Sequence, residues 1–398
     1  MFVNMMEPAK TADSKVILSL ALLHFIDDFY NAFVTPLFPV FVETFSLSLA
    51  QVGLIAGISR LLAFVVQPSV GYLADHYRTR LFILGGPLLA VVFIPLVGVA
   101  PGFLVLILFV ALGSIGSSMF HPTSAGMIST YSGSHFGFSM AIFNVGGTLA
   151  FAAGPLFITY LVGSYGLEVS PLTMVLGLAA LVPLFRIVPV PQGEGLKDLG
   201  FIGSLREVLG PVWKTILLIW VVMVLRTFTA QSFMTFIPVL YAQEGYSLIS
   251  IGTMVSLFTV GGAISGLLAG HLSDRIGYKP IFYSALGLMT PSLYLVLFLP
   301  GNWIYVSVFW AGFFAMATVP LGVVMAQELA PRGRSMVSSL MMGLAFGTGG
   351  MLTPVTGMLA DIFSIRTVLV FLAIIPLLTI GLVPYLPDKE LEHQGPIA

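Results

Sequence analysis

Four strongly polar side chains lie in the middle of the first long apolar segment of the chain, residues 16–42. They are His24, Asp27, Asp28 and Asn31. On a helix, His24 lies one turn from Asp28 and Asp27 lies one turn from Asn31, so the four share a polar stripe. Each carboxylate at mid-membrane depth costs about 2.5 kcal/mol or more. We therefore predict that Asp28, Asp27 or both carry protons with the help of His24. An aspartate that braces a neighbouring helix is the alternative.

Two arginines inside apolar segments, Arg226 and Arg60, are candidates for binding an anion. A guanidinium fork suits carboxylate and phosphonate groups. The alternatives are a permanent ion pair for Arg226 and a bracing role for Arg60. We predict that both arginines bind substrate. Four polar side chains complete this predicted site, namely Thr227, Gln231, Asn31 and Asn144.

His121 is a further candidate for proton coupling, on a helical face shared with Ser114, Ser117 and Ser118. An unperturbed histidine titrates at about pH 6.5, within the range that a proton-coupled carrier uses. The alternative is a structural histidine that donates to a main-chain carbonyl freed by Pro122.

The composition indicates a helical membrane protein. Of the 398 residues, 58% are hydrophobic and 8% are charged, whereas soluble domains carry about 25% charged residues. The net charge of −1 argues against nucleic acid as a partner, and the lack of cysteine excludes disulfides and thiolate metal sites. We expect no cofactor and no metal site. The expected partners are a small-molecule substrate, protons and the lipid bilayer, and we expect a monomer.

Long apolar segments predict twelve transmembrane helices. Their approximate bounds are 16–42, 50–72, 81–99, 102–127, 136–162, 170–190, 212–240, 249–271, 280–299, 302–327, 334–360 and 364–386. The longest polar connection, 191–211, divides them into two groups of six. We therefore predict an all-α membrane protein with an N-terminal bundle over 1–190, a linker over 191–211 and a C-terminal bundle over 212–398.

Lysine and arginine mark one side of the membrane. Arg366 alone falls on the opposite side, and Arg60 and Arg226 lie within spans. By the positive-inside rule, both termini and the linker are predicted to be cytoplasmic. The predicted cytoplasmic residues are Lys10, Lys15, Arg78, Arg80, Arg186, Lys197, Arg206, Lys214, Arg275, Lys279, Arg332, Arg334 and Lys389.

The two halves of the chain repeat one another. A shift of 199 residues aligns Asp75 with Asp274, and it aligns Asp27 with Arg226. Transporters built from parallel repeats place substrate near the midplane between the halves. We therefore expect an acid and a base at matching positions of a central cavity, between spans 1, 4, 7 and 10.

Two loop sequences, GYLADHYRTR at 71–80 and GHLSDRIGYK at 270–279, resemble the signature loop of the major facilitator superfamily. The resemblance covers the whole chain and implies the major facilitator fold, with two pseudo-symmetric six-helix bundles. It also implies that these loops form a cytoplasmic gate. The predicted gating residues are Gly71, Asp75, Arg78, Gly270, Asp274 and Arg275.

Longer segments resemble the fosmidomycin-resistance branch of that superfamily. They include LHFIDDFYNAFVTPLFPVF at 23–41 and GSIGSSMFHPTSAGM at 113–127. The chain departs from that branch at Asp27, where the branch has asparagine, and at Thr123, where it has glutamate. The resemblance implies proton-driven export of small drugs across the bacterial inner membrane. A glycine-proline pattern in span 5 (Gly146, Gly147, Gly154 and Pro155) is similar to that of antiporters.

These observations predict a secondary transporter that exports a small compound in exchange for protons. The predicted cavity contains two cations, Arg60 and Arg226, and two carboxylates, Asp27 and Asp28. When the carboxylates are protonated the cavity is positively charged, which favours an anionic or zwitterionic compound such as a phosphonate antibiotic. A proton symporter that imports an organic anion or a sugar-like metabolite is the alternative within the superfamily. A membrane enzyme such as a prenyltransferase is the alternative from another class. It would need aspartates spaced to share Mg²⁺, and no Asp-x-x-Asp sequence occurs.

Overall fold

The fold is all-helical in a computed structural model of the chain, which describes residues 12–76, 80–133, 135–190, 210–330 and 340–388. No β-strand occurs in these ranges. The helices are α1 (Ser14–Asn31), α2 (Phe38–Phe45), α3 (Leu49–His76), α4 (Leu81–Phe93), α5 (Phe103–Tyr131), α6 (Phe136–Tyr165), α7 (Thr173–Ile187), α8 (Trp213–Gln243), α9 (Leu248–Ile276), α10 (Lys279–Phe298), α11 (Trp303–Met316), α12 (Val319–Leu329), α13 (Phe346–Met351), α14 (Thr353–Phe363), α15 (Ile365–Leu372) and α16 (Ile375–Thr379).

Eleven stretches of the described chain are long and apolar enough to cross a membrane. They confirm the predicted helical membrane fold and match eleven of the twelve predicted spans. The remaining span, 334–360, lies partly outside the described residues. Its described part consists of a π-helical turn at Leu340–Ala345 followed by α13 and α14.

The described residues pack into two compact units. One comprises Met1–Val34 with Val65–Leu196, and the other comprises Thr35–Phe64 with Lys197–Ala398. The division into 1–190 and 212–398 stays a prediction. The predicted linker lies outside the described residues, except for Gly210 and Pro211.

In the first unit, α1 packs closely against α6 because α6 presents small residues to it. A Cβ added at Gly154 would lie 2.7 Å from the main-chain oxygen of Phe29. Such close approach between helices is typical of small-residue interfaces in membranes. At the start of α1, Asp13 accepts hydrogen bonds from the main-chain N–H groups of Lys15 and Val16, so the first turn of the helix is capped.

In the second unit, the start of α3 is capped by residues near in sequence and by one far away. Ser48 and Gln51 exchange reciprocal main-chain to side-chain hydrogen bonds, which form a capping box. The carboxylate of Asp361 accepts from the N–H groups of Leu49 at 2.8 Å and Ala50 at 2.9 Å. The free main-chain N–H groups at the start of α3 are therefore hydrogen-bonded by a side chain at the end of α14.

One turn further along the contact between α3 and α14, the hydroxyl of Thr353 donates to the main-chain oxygen of Gly53 at 2.9 Å. A Cβ added at Gly53 would lie 2.5 Å from the main-chain oxygen of Thr353. Glycine is thus required at this position for α3 and α14 to pack.

We predict that Asp361→Ala lowers the stability of the purified protein by about 1 kcal/mol, the typical cost of losing a helix cap. Thermal unfolding in detergent measures the change. Glu43→Ala removes an exposed carboxylate from α2 and serves as the control. Equal melting temperatures for the two variants would contradict the capping role.

Candidate functional site

The predicted residues of the first unit meet at the carboxylate of Asp28. His24 Nε2 lies 3.0 Å from Asp28 Oδ2, and His121 Nε2 lies 3.5 Å from Asp28 Oδ1. Asp28 and His24 are buried, whereas the side chain of His121 is 33% exposed. The predicted link between His24 and Asp28 along α1 is present, and α5 adds His121 to it.

Main-chain carbonyls orient both imidazole rings. His24 Nδ1 lies 2.8 Å from the oxygen of Phe143, and His121 Nδ1 lies 2.8 Å from the oxygen of Ser117. A carbonyl oxygen only accepts hydrogen bonds, so these short contacts place the hydrogen on each Nδ1 atom. The hydroxyl of Ser117 lies farther from His121 Nδ1, at 3.3 Å. In a neutral ring the Nε2 atom then has only a lone pair, and in both histidines this atom points at Asp28.

This arrangement requires a shared proton. A bare Nε2 atom and an ionised carboxylate oxygen are both acceptors and do not attract one another at 3.0 Å. A proton on His24 or on Asp28 turns the contact into a charge-assisted hydrogen bond. A second proton can lie between His121 Nε2 and Asp28 Oδ1, which are 3.5 Å apart. The three side chains together can therefore hold and exchange protons.

Asp27 is fully buried beside this cluster. Within the described chain, neither of its carboxylate oxygens has a hydrogen-bond partner. A buried carboxylate without a hydrogen-bond partner is costly when ionised. Asp27 therefore needs a proton or an additional cation nearby.

A glycine of α6 makes room for the cluster. A Cβ added at Gly147 would lie 2.5 Å from His24 Nε2 and 2.7 Å from Asp28 Oδ2. His24 also stacks on the ring of Phe143 at a centroid distance of 4.1 Å. The span-5 glycines that resemble an antiporter pattern thus include one that contacts the candidate proton site directly.

The other predicted residues of the first unit stand apart from this cluster. The amide of Asn31 donates to the main-chain oxygen of Asp27 at 2.9 Å, so it is used within its own helix. Asn144 is exposed. Their predicted substrate contacts stay predictions.

In the second unit, Arg226 is 2% exposed and forms no ion pair with any carboxylate of the described residues. Its guanidinium donates to the main-chain oxygen of Ala315 at 2.5 Å and to the hydroxyl of Thr227 at 2.7 Å. It also lies 5.4 Å from the ring centre of Phe346, a cation–π distance. The Nε atom has no hydrogen-bond partner in the described part of the chain. The predicted contact of Thr227 with substrate stays a prediction.

In the structure, Gln231 and Arg60 contact residues other than Arg226. The amide of Gln231 lies 3.4 Å from the hydroxyl of Thr235, one turn along α8. Arg60 is exposed, and its aliphatic stem packs over Gly350 of α13. Their predicted contacts with substrate stay predictions.

The predicted gating residues fall only partly within the described structure. Arg78 and the side chain of Asp75 lie outside it, and Gly71 is described only as part of α3. Gly270, Asp274 and Arg275 lie in the last turns of α9, where the two charged side chains are exposed. The predicted gating role of these six residues stays a prediction.

Tyr278 links the end of α9 to a carboxylate cluster. Its hydroxyl donates to Glu328 at 2.8 Å, and its main-chain N–H donates to Asp388 at 2.8 Å. Burial, the bond to Glu328 and the nearby charges of Asp274 and Asp388 raise the pKa of Tyr278 above its usual value. The phenol therefore remains a hydrogen-bond donor to Glu328 throughout the physiological pH range.

Sequence reasoning missed several contributors to these sites. The carbonyl groups of Phe143, Ser117 and Ala315 are main-chain groups, which any residue type supplies, so no sequence signal marks them.

We predict that Gly147→Ala destabilises the protein by about 1–3 kcal/mol, the usual cost of overpacking, because the methyl group would collide with His24 and Asp28. Gly126→Ala is the matched control on α5, since a Cβ there meets nothing within 4 Å. It should leave stability unchanged or raise it by up to about 1 kcal/mol. Thermal unfolding of both variants measures the difference, and a Gly147→Ala protein as stable as wild type would contradict the close contact.

Comparison with known proteins shows the family to which the chain belongs. The sequence profile of the Major Facilitator Superfamily matches residues 20–354 and 219–398. The fosmidomycin resistance protein of Escherichia coli K12 is 28% identical over 379 residues, which cover 94% of this chain and 92% of that protein. An uncharacterised transporter of the same type from Bacillus subtilis 168, YfnC, is 26% identical, with 92% and 91% covered.

Solved structures agree on the fold. A bacterial homologue of the human lysosomal transporter Spinster, in an inward-facing and occupied conformation, has a TM-score of 0.77 at 17% identity and covers 95% of this chain. The nucleoside transporter NupG, in a mutant form, also has a TM-score of 0.77, at 15% identity and 93% coverage. The two alignments span 97% and 99% of those chains.

Proposed function

We propose that this chain, which belongs to the Major Facilitator Superfamily and is thus a multi-pass membrane transporter, works as a proton-coupled antiporter. It exports a small anionic or zwitterionic compound, such as a phosphonate antibiotic, by alternating access. It does so across the bacterial inner membrane, with both termini in the cytoplasm. The observation that carries this proposal is the position of Asp28 between the Nε2 atoms of His24 and His121.

The proposed proton step takes place within the first unit. Asp28 and the two histidines share one or two protons, since their facing atoms would otherwise all be acceptors. Asp27 takes or releases a further proton, because its buried carboxylate has no hydrogen bond within the described chain. His121, with its partly exposed ring, is the member that exchanges protons with water.

The proposed anion site involves Arg226 in the second unit. Its guanidinium is buried and has no carboxylate partner among the described residues. A buried cation of this kind is stabilised by an anion that binds beside it. Thr227 holds the guanidinium in place, while Arg60 and Gln231 are proposed as further contacts. The 28% identity to a fosmidomycin resistance protein supports a phosphonate as one compound to test.

The signature loops are proposed to act as the cytoplasmic gate. Gly71, Asp75 and Arg78 form one copy, and Gly270, Asp274 and Arg275 form the other. In this proposal the aspartates make contacts that hold the gate closed, and these contacts break when it opens.

Proton coupling is tested by transport in proteoliposomes under an imposed pH gradient. We expect wild-type protein to move fosmidomycin against the proton flow, and we expect Asp28→Asn to reduce gradient-driven flux to the background of protein-free liposomes. Glu168→Gln, which neutralises an exposed carboxylate of the same unit, is the control and should retain wild-type flux. Wild-type flux that ignores the pH gradient would refute coupling, and flux in the direction of the protons would favour the symporter.

Anion recognition is tested with Arg226→Gln and Arg226→Lys. Loss of charge-assisted hydrogen bonds worth about 1.5–3 kcal/mol should raise the concentration of fosmidomycin for half-maximal transport by about 10–100-fold in Arg226→Gln. Arg226→Lys keeps the charge but loses the fork, so we expect a smaller increase. A preference of the wild-type protein for lipophilic cations, or unchanged half-maximal concentrations in both variants, would contradict this assignment.

A further inference from the structure

In contrast to the expectation from the sequence that the chain has no metal site, we propose that His24, His121 and Asp28 also form a binding site for a divalent transition metal ion, with Zn²⁺ as the preferred ion. The ligand atoms of the three side chains all lie within 4.8 Å of one another. They come from α1 and α5, which belong to the same unit.

The spacing of the ligand atoms suits zinc. Bonds of about 2.0–2.2 Å at tetrahedral angles place neighbouring ligand atoms about 3.4 Å apart. His24 Nε2 lies 3.0 Å from Asp28 Oδ2, and His121 Nε2 lies 3.5 Å from Asp28 Oδ1. Since no two ligand atoms of the set are more than 4.8 Å apart, a central ion needs the three side chains to close in by about 1.4 Å at most. Three protein ligands leave a fourth position for water or another ligand.

The rings are already held in the orientation that a metal requires. Histidine ligands usually donate their second ring N–H to a carbonyl or carboxylate, which fixes the tautomer and frees the other nitrogen to bind. Here both Nδ1 atoms donate to main-chain oxygens at 2.8 Å, from His24 to Phe143 and from His121 to Ser117. Both lone pairs on Nε2 are therefore available on the same side as Asp28.

The charge of the surroundings also fits a dication. Asp28 supplies one negative charge as a ligand, and Asp27 supplies a second from a fully buried position. The oxygens of Asp27 have no hydrogen-bond partner within the described chain, which is unexplained by packing alone. A bound M²⁺ ion would balance both carboxylates and leave no net charge in the apolar interior.

The ligand set selects the class of ion. Two imidazoles and one carboxylate suit zinc and its first-row neighbours, whereas Mg²⁺ and Ca²⁺ prefer oxygen ligands. The site would not depend on cysteine, which the chain lacks.

Metal binding is tested on the full chain, purified in detergent with its affinity tag removed and its metals dialysed away. Zn²⁺ binding is followed by equilibrium dialysis, and Co²⁺ is used as a coloured probe of coordination geometry. We expect about one equivalent of either ion per chain and a tetrahedral Co²⁺ spectrum. We expect His24→Ala and His121→Ala to weaken binding by about 100-fold or more, since even outer-shell changes cost about 10–100-fold.

Two further variants make the result specific. His271→Ala removes an exposed histidine from α9 and should bind Zn²⁺ like wild type. His121→Cys replaces one zinc ligand by another in a chain with no other thiol, so it should bind Co²⁺ with a thiolate charge-transfer band. This band would appear only if position 121 coordinates the ion directly.

The inference is overturned if wild-type protein binds no Zn²⁺, or if His24→Ala and His121→Ala bind it like His271→Ala. It is also overturned if a folded His121→Cys protein shows no thiolate band. Binding in detergent does not require transport, so these outcomes are separate from those of the flux assay. Inhibition of proton-driven flux by Zn²⁺ would be a consequence that rests on the proposed function.

Discussion

The contact between one buried carboxylate and two imidazole nitrogens sets the requirements for much of the first unit. Asp28 can be buried only if its charge is compensated, and its neighbours His24 and His121 do this when they share protons with it. The rings must then be fixed so that Nε2 points inward. Main-chain carbonyls provide that orientation, and Gly147 leaves the space that the ring of His24 and the carboxylate occupy.

The second unit contains a buried cation, Arg226, whose positive charge must also be compensated. Arg226 is satisfied in part by the carbonyl of Ala315 and the hydroxyl of Thr227, and in part by the ring of Phe346. None of these groups carries a negative charge. The first unit therefore buries two carboxyl groups, whereas the second buries a base that has no acid partner among the described residues. The proposed exchange of protons for an anion would use both kinds of site.

The helical membrane fold and the contact between His24 and Asp28 were predicted from the sequence. Long apolar segments fix the helices, and the spacing of four residues between His24 and Asp28 fixes their contact on one helix. The contact of His121 with Asp28 depends on how α5 packs against α1, which spacing along the chain does not determine. Asn31 was predicted to bind substrate, and in the structure its amide donates to the main-chain oxygen of Asp27 in its own helix. The cap of α3 by Asp361 joins positions 312 residues apart, and no local pattern predicts it.

The most direct test of the central claim is ¹⁵N NMR of the full chain with labelled histidine, assigned through substitutions of His24 and His121. It reports which ring nitrogens carry hydrogen. The account predicts that both rings are protonated at Nδ1, with a shared proton at the Nε2 atom of at least one ring that disappears in Asp28→Asn. Rings protonated at Nε2 with bare Nδ1 atoms, unchanged in Asp28→Asn, would contradict it.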